Sequence, residues 1–168
     1  MRVIVCDAGP IIHLYEAQCL PLLNRTGNLF LPHRVHLEVQ ASIYLRKQWP
    51  AWLQVIRLAG NEQSEAGVWQ AAGRLHAGEA EALVLARQKK ADWFLTDDAA
   101  TRLFVSILGI EVHGPLGIVL WSAAKRHITR KETEEALNRL EQSSLWLSKK
   151  IYEEAREALD DMYGENLF

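Results

Sequence analysis

The sequence predicts an α/β fold, a three-layer α/β/α sandwich around a mostly parallel central sheet, and three features carry that prediction. Short unbroken apolar runs, Val3–Cys6 early and Trp93-Phe94-Leu95-Thr96 later, have the character of strands buried on both faces. The segments between them repeat their apolar residues with the period of amphipathic helices. Both strands end in acid, Asp7 in one case and Asp97-Asp98 in the other, and helix-forming sequence follows each.

Taken in order, Val3–Cys6 is the first strand, and Gly9-Pro10 turns the chain into a helix over 10–17, with proline in the first turn where its missing N–H is not needed. A helical turn over 20–24 and a short strand over 29–31 complete a βαβ unit. Pro32 opens a helix to about residue 47, in which Val35, Val39 and Ile43 recur at i, i+4. A modest strand over 53–58 and a Gly60-Asn61 turn lead into a helix over 62–75. Gly78, Glu79 and Glu81 open the next helix and Arg87, Lys89 and Lys90 close it, so both ends match the macrodipole. The strand over 93–96 precedes a helix over 99–108, a strand over 110–113, a Gly114-Pro115 turn and an apolar helix over 116–125. A helical hairpin over about 129–163 ends the chain, with Thr129 or Thr133 capping the segment to Leu140 and Ser148 capping the last helix. No repeat or linker divides the sequence, and a single domain over 1–168 is expected.

With 49% apolar and 24% charged residues the chain has the composition of an ordinary globular protein. Its net charge of -2 excludes a whole-molecule cationic field, so any phosphate-binding surface must be local. Cys6 and Cys19 are too few for a disulfide framework and are expected to be reduced thiols. Asp7 interrupts the first apolar run too early for a signal peptide, and no segment approaches the ~20 apolar residues needed to cross a bilayer. A cytoplasmic protein with no membrane partner is expected.

In parallel sheets, ligands bind beyond the carboxyl ends of the strands where the strand order switches. An acid such as Asp98 taken alone reads as a helix cap, but two strand-end acids in one sheet point to a site. Glu38 falls beside the inward stripe of its helix, where it either pairs with Arg34 or Arg46 at the surface or shares a metal. Glu79 and Glu81 stabilise a helix start, and because they stand two residues apart at most one of them faces such a cluster. Converging carboxylates repel and raise one another's pKa unless a cation neutralises them. An all-oxygen set suits Mg²⁺ or Mn²⁺, whose natural chemistry is activation of water against a phosphodiester.

The strand-end Asp7-Ala8-Gly9-Pro10, Glu38 within PHRVHLEV, Glu81 within GEAEALVLA, and Asp97-Asp98 within FLTDDAATR, in that order, resemble the PIN domain. More narrowly they resemble a PIN-like subfamily in which GEAEA and D-D-x-x-x-R segments precede a Gly-x-x-Gly turn, here Gly114-Pro115-Leu116-Gly117. The resemblance implies an α/β/α sandwich and a Mg²⁺- or Mn²⁺-dependent ribonuclease acting on RNA, like the VapC-type toxins, often held in check by a small antitoxin and often dimeric. Carried onto this chain, it makes Asp7, Glu38, Glu81 and Asp97 the catalytic and metal-binding acids, with Asp98 an alternate for the last. The chain departs from the pattern in one respect: relatives place a small hydroxyl residue just after the first Asp, and Ala8 and Gly9 offer none. That departure points to the alternative, a PIN-like module with weak or no nuclease activity that binds RNA or a protein.

Arg102, one helical turn after Asp98, is the best candidate for substrate phosphate contact, ahead of Lys125 and Arg126; its structural role would be an ion pair with Asp98. Among the six tryptophans, Trp49 and Trp52 are expected to pack rather than to stack on bases. His33 and His36 stand at i, i+3 without a third soft ligand, so zinc is not expected there.

Overall fold

The computed structural model describes residues 1–43, 48–73 and 75–164. Within them, β1 (Val3–Cys6), β2 (Asn28–Pro32), β3 (Leu53–Ile56), β4 (Trp93–Leu95) and β5 (Glu111–His113) form one sheet in the order β3-β2-β1-β4-β5, parallel at every pairing. Ile4, Val5, Cys6, Phe94 and Leu95 are fully buried, as their unalternating sequence requires for strands covered on both faces.

The helices are α1 (Ala8–Glu16), α2 (His33–Ser42), α3 (Gly60–Gly73), α4 (Ala77–Gln88), α5 (Ala99–Ile107), α6 (Pro115–Ala124), α7 (Arg130–Glu141) and α8 (Lys149–Gly164). One layer contains α3, α4 and α5 packed side by side; the other contains α1 against α6 and α7, with α8 on both α6 and α7. The result is an α/β/α sandwich. Small buried residues, Gly78, Ala80, Ala82 and Ala86, let α4 lie close on β1 and β2 while α2 leans on its start.

Several boundaries differ from the sequence expectation for identifiable reasons. Helix α1 starts at Ala8 rather than at Pro10, because the Asp7 side chain accepts the Ala8 N–H and caps it. Strand β3 stops at Ile56, and α3 begins earlier, at Gly60, where the Glu62 carboxylate takes the Ala59 N–H. Helix α2 ends at Ser42 with Ile43 extended; the remainder of the expected helix, and Arg46 as a partner for Glu38, lie outside the described residues. Between the two possible caps of α7, Thr129 is the one used: its hydroxyl accepts the Glu132 N–H while Glu132 accepts the Thr129 N–H. Thr129→Ala is expected to cost about 1 kcal/mol, measured by urea unfolding, and an unchanged midpoint would show the cap to be idle.

Cys6 and Cys19 are free and buried, and burial pushes both thiols up, which makes them inert at neutral pH. Among the described residues no helix is long and apolar enough to cross a membrane.

Candidate functional site

The chain runs from β1 out to β2 and β3 on one side and then crosses back to β4 and β5 on the other, so the switch in strand order lies between β1 and β4. The crevice beyond their carboxyl ends is therefore the expected ligand site, and the first acid lies directly in it. Pairing of Cys6 with Leu95 places Asp7 beside Thr96, and the Asp7 N–H continues the ladder by donating to the Leu95 carbonyl at 2.9 Å.

Asp7 is buried, and among the described residues two hydrogen bonds reach its carboxylate. Oδ1 accepts the Ala8 N–H at 2.8 Å, and Oδ2 accepts the Thr96 hydroxyl at 3.1 Å. Burial pushes the carboxyl up to about 7; the charges of Glu79 and Glu38 push the same way, and the two hydrogen bonds oppose them. Positions 8 and 9 carry no hydroxyl; the one that reaches Asp7 comes from Thr96, just past the end of the next strand. Its sequence signal was its place at a strand end just before two acids.

Asp97 stands across Gly9, so close that a Cβ at position 9 would overlap its carboxylate. Its Oδ2 receives His13 Nε2 from α1 at 2.8 Å. Burial pushes the Asp97 carboxyl up, but the hydrogen bond and charge of His13 and the charge of Arg102 outweigh it and hold the group below the ordinary carboxylate range. Asp98 does what a lone strand-end acid is expected to do. It caps α5, accepting the Thr101 N–H at 2.7 Å and the Thr101 hydroxyl at 2.9 Å.

Glu38 sits at the solvent edge of the crevice, its carboxylate lying against Gly78, where any side chain would collide with it. Loss of water on that side raises its pKa, and so do the charges of Glu79 and Glu81; Arg34 and His76 oppose them. Of the two α4 acids, Glu79 acts on both Asp7 and Glu38, although its carboxylate also accepts the His76 N–H at 2.9 Å and so closes the start of the helix. Glu81 is engaged by Arg34 at 2.9 Å, beside a separate cavity of about 270 Å³ that also includes His33 and Arg57.

Charge thus links Asp7, Glu38 and Glu79, while Asp97 stands across Gly9 with His13 and Arg102, Glu81 is tied to Arg34 and Asp98 caps α5. With side chains in these positions, no three acids, histidines or cysteines among the described residues stand close enough to hold an ion. Arg102 does not pair with Asp98. Its Nη2 lies 3.4 Å from the Thr96 carbonyl, next to Asp97, whereas Arg126 is bound to the Met162 carbonyl and lies over Tyr163. His33 Nε2 lies 3.3 Å from Arg57 Nη2, and His36 packs edge-on against Trp49 at 4.3 Å.

Sequence reasoning missed His13, which is one turn past Gly9-Pro10 on the same helix. It also missed a further tie: Ser144 Oγ is 3.0 Å from His13 Nδ1 and donates to Glu16 at 2.7 Å, so the segment between α7 and α8 is anchored to the acids. A family model described as PIN domain matches residues 3–161 of the chain. No curated protein matches it.

Proposed function

Because the chain belongs to the PIN-domain family, a family of nucleases, we propose that it is a divalent-metal-dependent ribonuclease that hydrolyses RNA phosphodiesters at the crevice between β1 and β4. The observation that carries the reading is the position of Asp7 and Asp97 at adjacent strand ends on the switch point, with the negative charges of Glu79 and Glu38 bearing on Asp7. Burial is the main cause that raises Asp7 and Glu38, and the charge of Glu79 adds to both; a hard dication would relieve that charge, and every donor is an oxygen, so the residue types suit such an ion. Asp7, Glu38, Asp97 and one carboxylate of α4 would hold Mg²⁺ or Mn²⁺. The resemblance favours Glu81 for the fourth, while the electrostatics favour Glu79.

When bound, such an ion lowers the pKa of its water and stabilises charge on the phosphoryl oxygens. The protein's own part is positional. The Thr96 hydroxyl orients Asp7, His13 holds Asp97 ionised, and Arg102 contacts a substrate phosphate. Gly9→Ala would displace the Asp97 carboxylate from His13 without disturbing the backbone. It is expected to lower kcat/KM about 10- to 100-fold while moving the thermal midpoint by no more than about 2 °C; full activity would remove Asp97 from the mechanism.

The direct test is incubation of the purified chain with Mn²⁺ and a panel of single-stranded and structured RNAs. Cleavage that EDTA stops is expected; cleavage that ignores EDTA would sink the mechanism. A nuclease-inactive module that binds RNA or protein is the second reading, favoured by the engagement of Glu81 with Arg34 and of Asp97 with His13. Calorimetric titration with Mn²⁺ separates the two, since that module would bind none. A cytoplasmic toxin role with a small antitoxin, and a homodimeric assembly, extend the first reading; sedimentation of the purified chain reads the assembly directly.

A further inference from the structure

A cavity of about 530 Å³ opens beside Asp97 and Arg102, within the ~300–1,000 Å³ usual for small-ligand sites. One wall is the turn at the start of α6, with Gly114 and Gly117, and the other is the segment after α7, with Trp146. Trp146 is 84% exposed, whereas Trp93 is buried and Trp49, Trp52, Trp69 and Trp121 pack on the core. Its exposure does not come from a slack backbone. Ser144 is held by His13 and by both Glu16 oxygens, Leu145 is buried, and Leu147 packs against the core, so the indole projects from a segment fixed on each side.

The glycines opposite are not required by the fold. A Cβ at position 117 would meet nothing closer than 3.6 Å and one at position 114 nothing closer than 3.4 Å, and neither residue has a positive φ. Side chains there would fit the protein and narrow the cavity; their absence keeps it open. An exposed indole on an anchored backbone, facing a wall where Gly114 and Gly117 present no side chain between Val112, His113, Pro115 and Leu116, with a guanidinium at the side nearest Asp97, matches the needs of an unpaired base and its phosphate.

We propose that this cavity is a nucleobase pocket, in which one base of single-stranded RNA stacks on Trp146 while Arg102 takes the adjoining phosphate and directs it toward Asp97. The inference deepens the nuclease reading and rests on it for the substrate class. It selects single strands, because a base in a duplex has both faces already stacked.

The test is fluorescence anisotropy of a short labelled single-stranded oligoribonucleotide, in EDTA so that nothing is cut, with a duplex of the same sequence alongside. Trp146→Ala is expected to weaken single-strand binding about 10- to 100-fold with little effect on the duplex, and Trp146→Phe to restore most of it. The thermal midpoints of both variants should match the parent, since the indole is exposed. If Trp146→Ala binds as tightly as the parent and the parent cleaves RNA with Mn²⁺, the pocket is overturned and the nuclease reading stands. If Trp146→Ala weakens binding but the parent cleaves nothing, the pocket stands and the nuclease reading fails. A parent chain that binds no single strand overturns the pocket. So does a variant that alters only sedimentation, which would assign the indole to contact between copies.

Discussion

Asp7→Asn is expected to lower Mn²⁺-dependent RNA cleavage by at least about 100-fold and, in EDTA above pH 7, to make the folded chain more stable. The first effect follows from removing a charged oxygen donor at the centre of the crevice. The second follows from burial. The Asp7 carboxyl has a folded-state pKa near 7, raised from 3.8, so the folded chain holds a proton that the unfolded chain has already released. The contribution favouring the fold is therefore complete below about pH 4 and is lost as the pH rises through 7, at up to about 1.4 kcal/mol for each unit between. Asparagine keeps the neutral state at every pH: its oxygen can accept the Ala8 N–H and its amide can donate to the Thr96 hydroxyl oxygen. Variant and parent should converge in urea-derived stability near pH 4.5 and separate by a few kcal/mol at pH 8, with the variant ahead. Equal stability at pH 8 would mean that burial does not raise the Asp7 carboxyl, and undiminished cleavage would remove it from the proposed active centre.

Saturating Mn²⁺ is expected to raise the thermal midpoint of the parent chain at pH 8 by about 5–10 °C. That is the shift produced in a domain of this size by about 2.7 kcal/mol of linkage at a hundred times the dissociation constant. The physical reason is the buried charge that Asp7 carries once it ionises, to which the charges of Glu79 and Glu38 add. Ionised Asp7, Glu38 and Glu79 repel one another in the metal-free fold, and a dication converts that repulsion into attraction. Protons compete for the same oxygens, so the shift should shrink toward pH 5.5, where Asp7 retains its proton. Glu38→Gln should reduce it, and Asp7→Asn should nearly abolish it. Differential scanning fluorimetry over a metal and pH grid measures all of this, and a shift of the same size in both variants would place the ion elsewhere.

The parallel sheet was legible because its evidence is local. Runs such as Val3–Cys6 and Trp93–Leu95 suit strands covered on both faces, and Asp7, Asp97 and Asp98 stand at strand ends because the Asp7 and Asp98 caps start helices directly after them. The family was legible for the same reason, through four short segments in order along the chain. Helix ends were less legible. The Asp7 cap moved one start by two residues, and a side chain's capping bond has no signature beyond its residue type.

By itself, then, the sequence determined a sandwich with acids at the mouth of its switch point, since strand burial, helix period and helix starts are each set by neighbours along the chain. Only the tertiary structure separated acids that the sequence leaves alike. Glu79 and Glu81 carry the same charge two residues apart, and the partners that divide them, Arg34 on α2 and the negative field of Asp7 and Glu38, come from elsewhere in the chain. Asp97 and Asp98 are divided in the same way, one turned to His13 and the other to its own helix. Thr96, His13 and Trp146 acquire meaning only where β1 meets β4 and the α7–α8 segment folds back over Glu16. Side-chain direction at such places is set by contacts between residues distant in sequence, which no local pattern encodes.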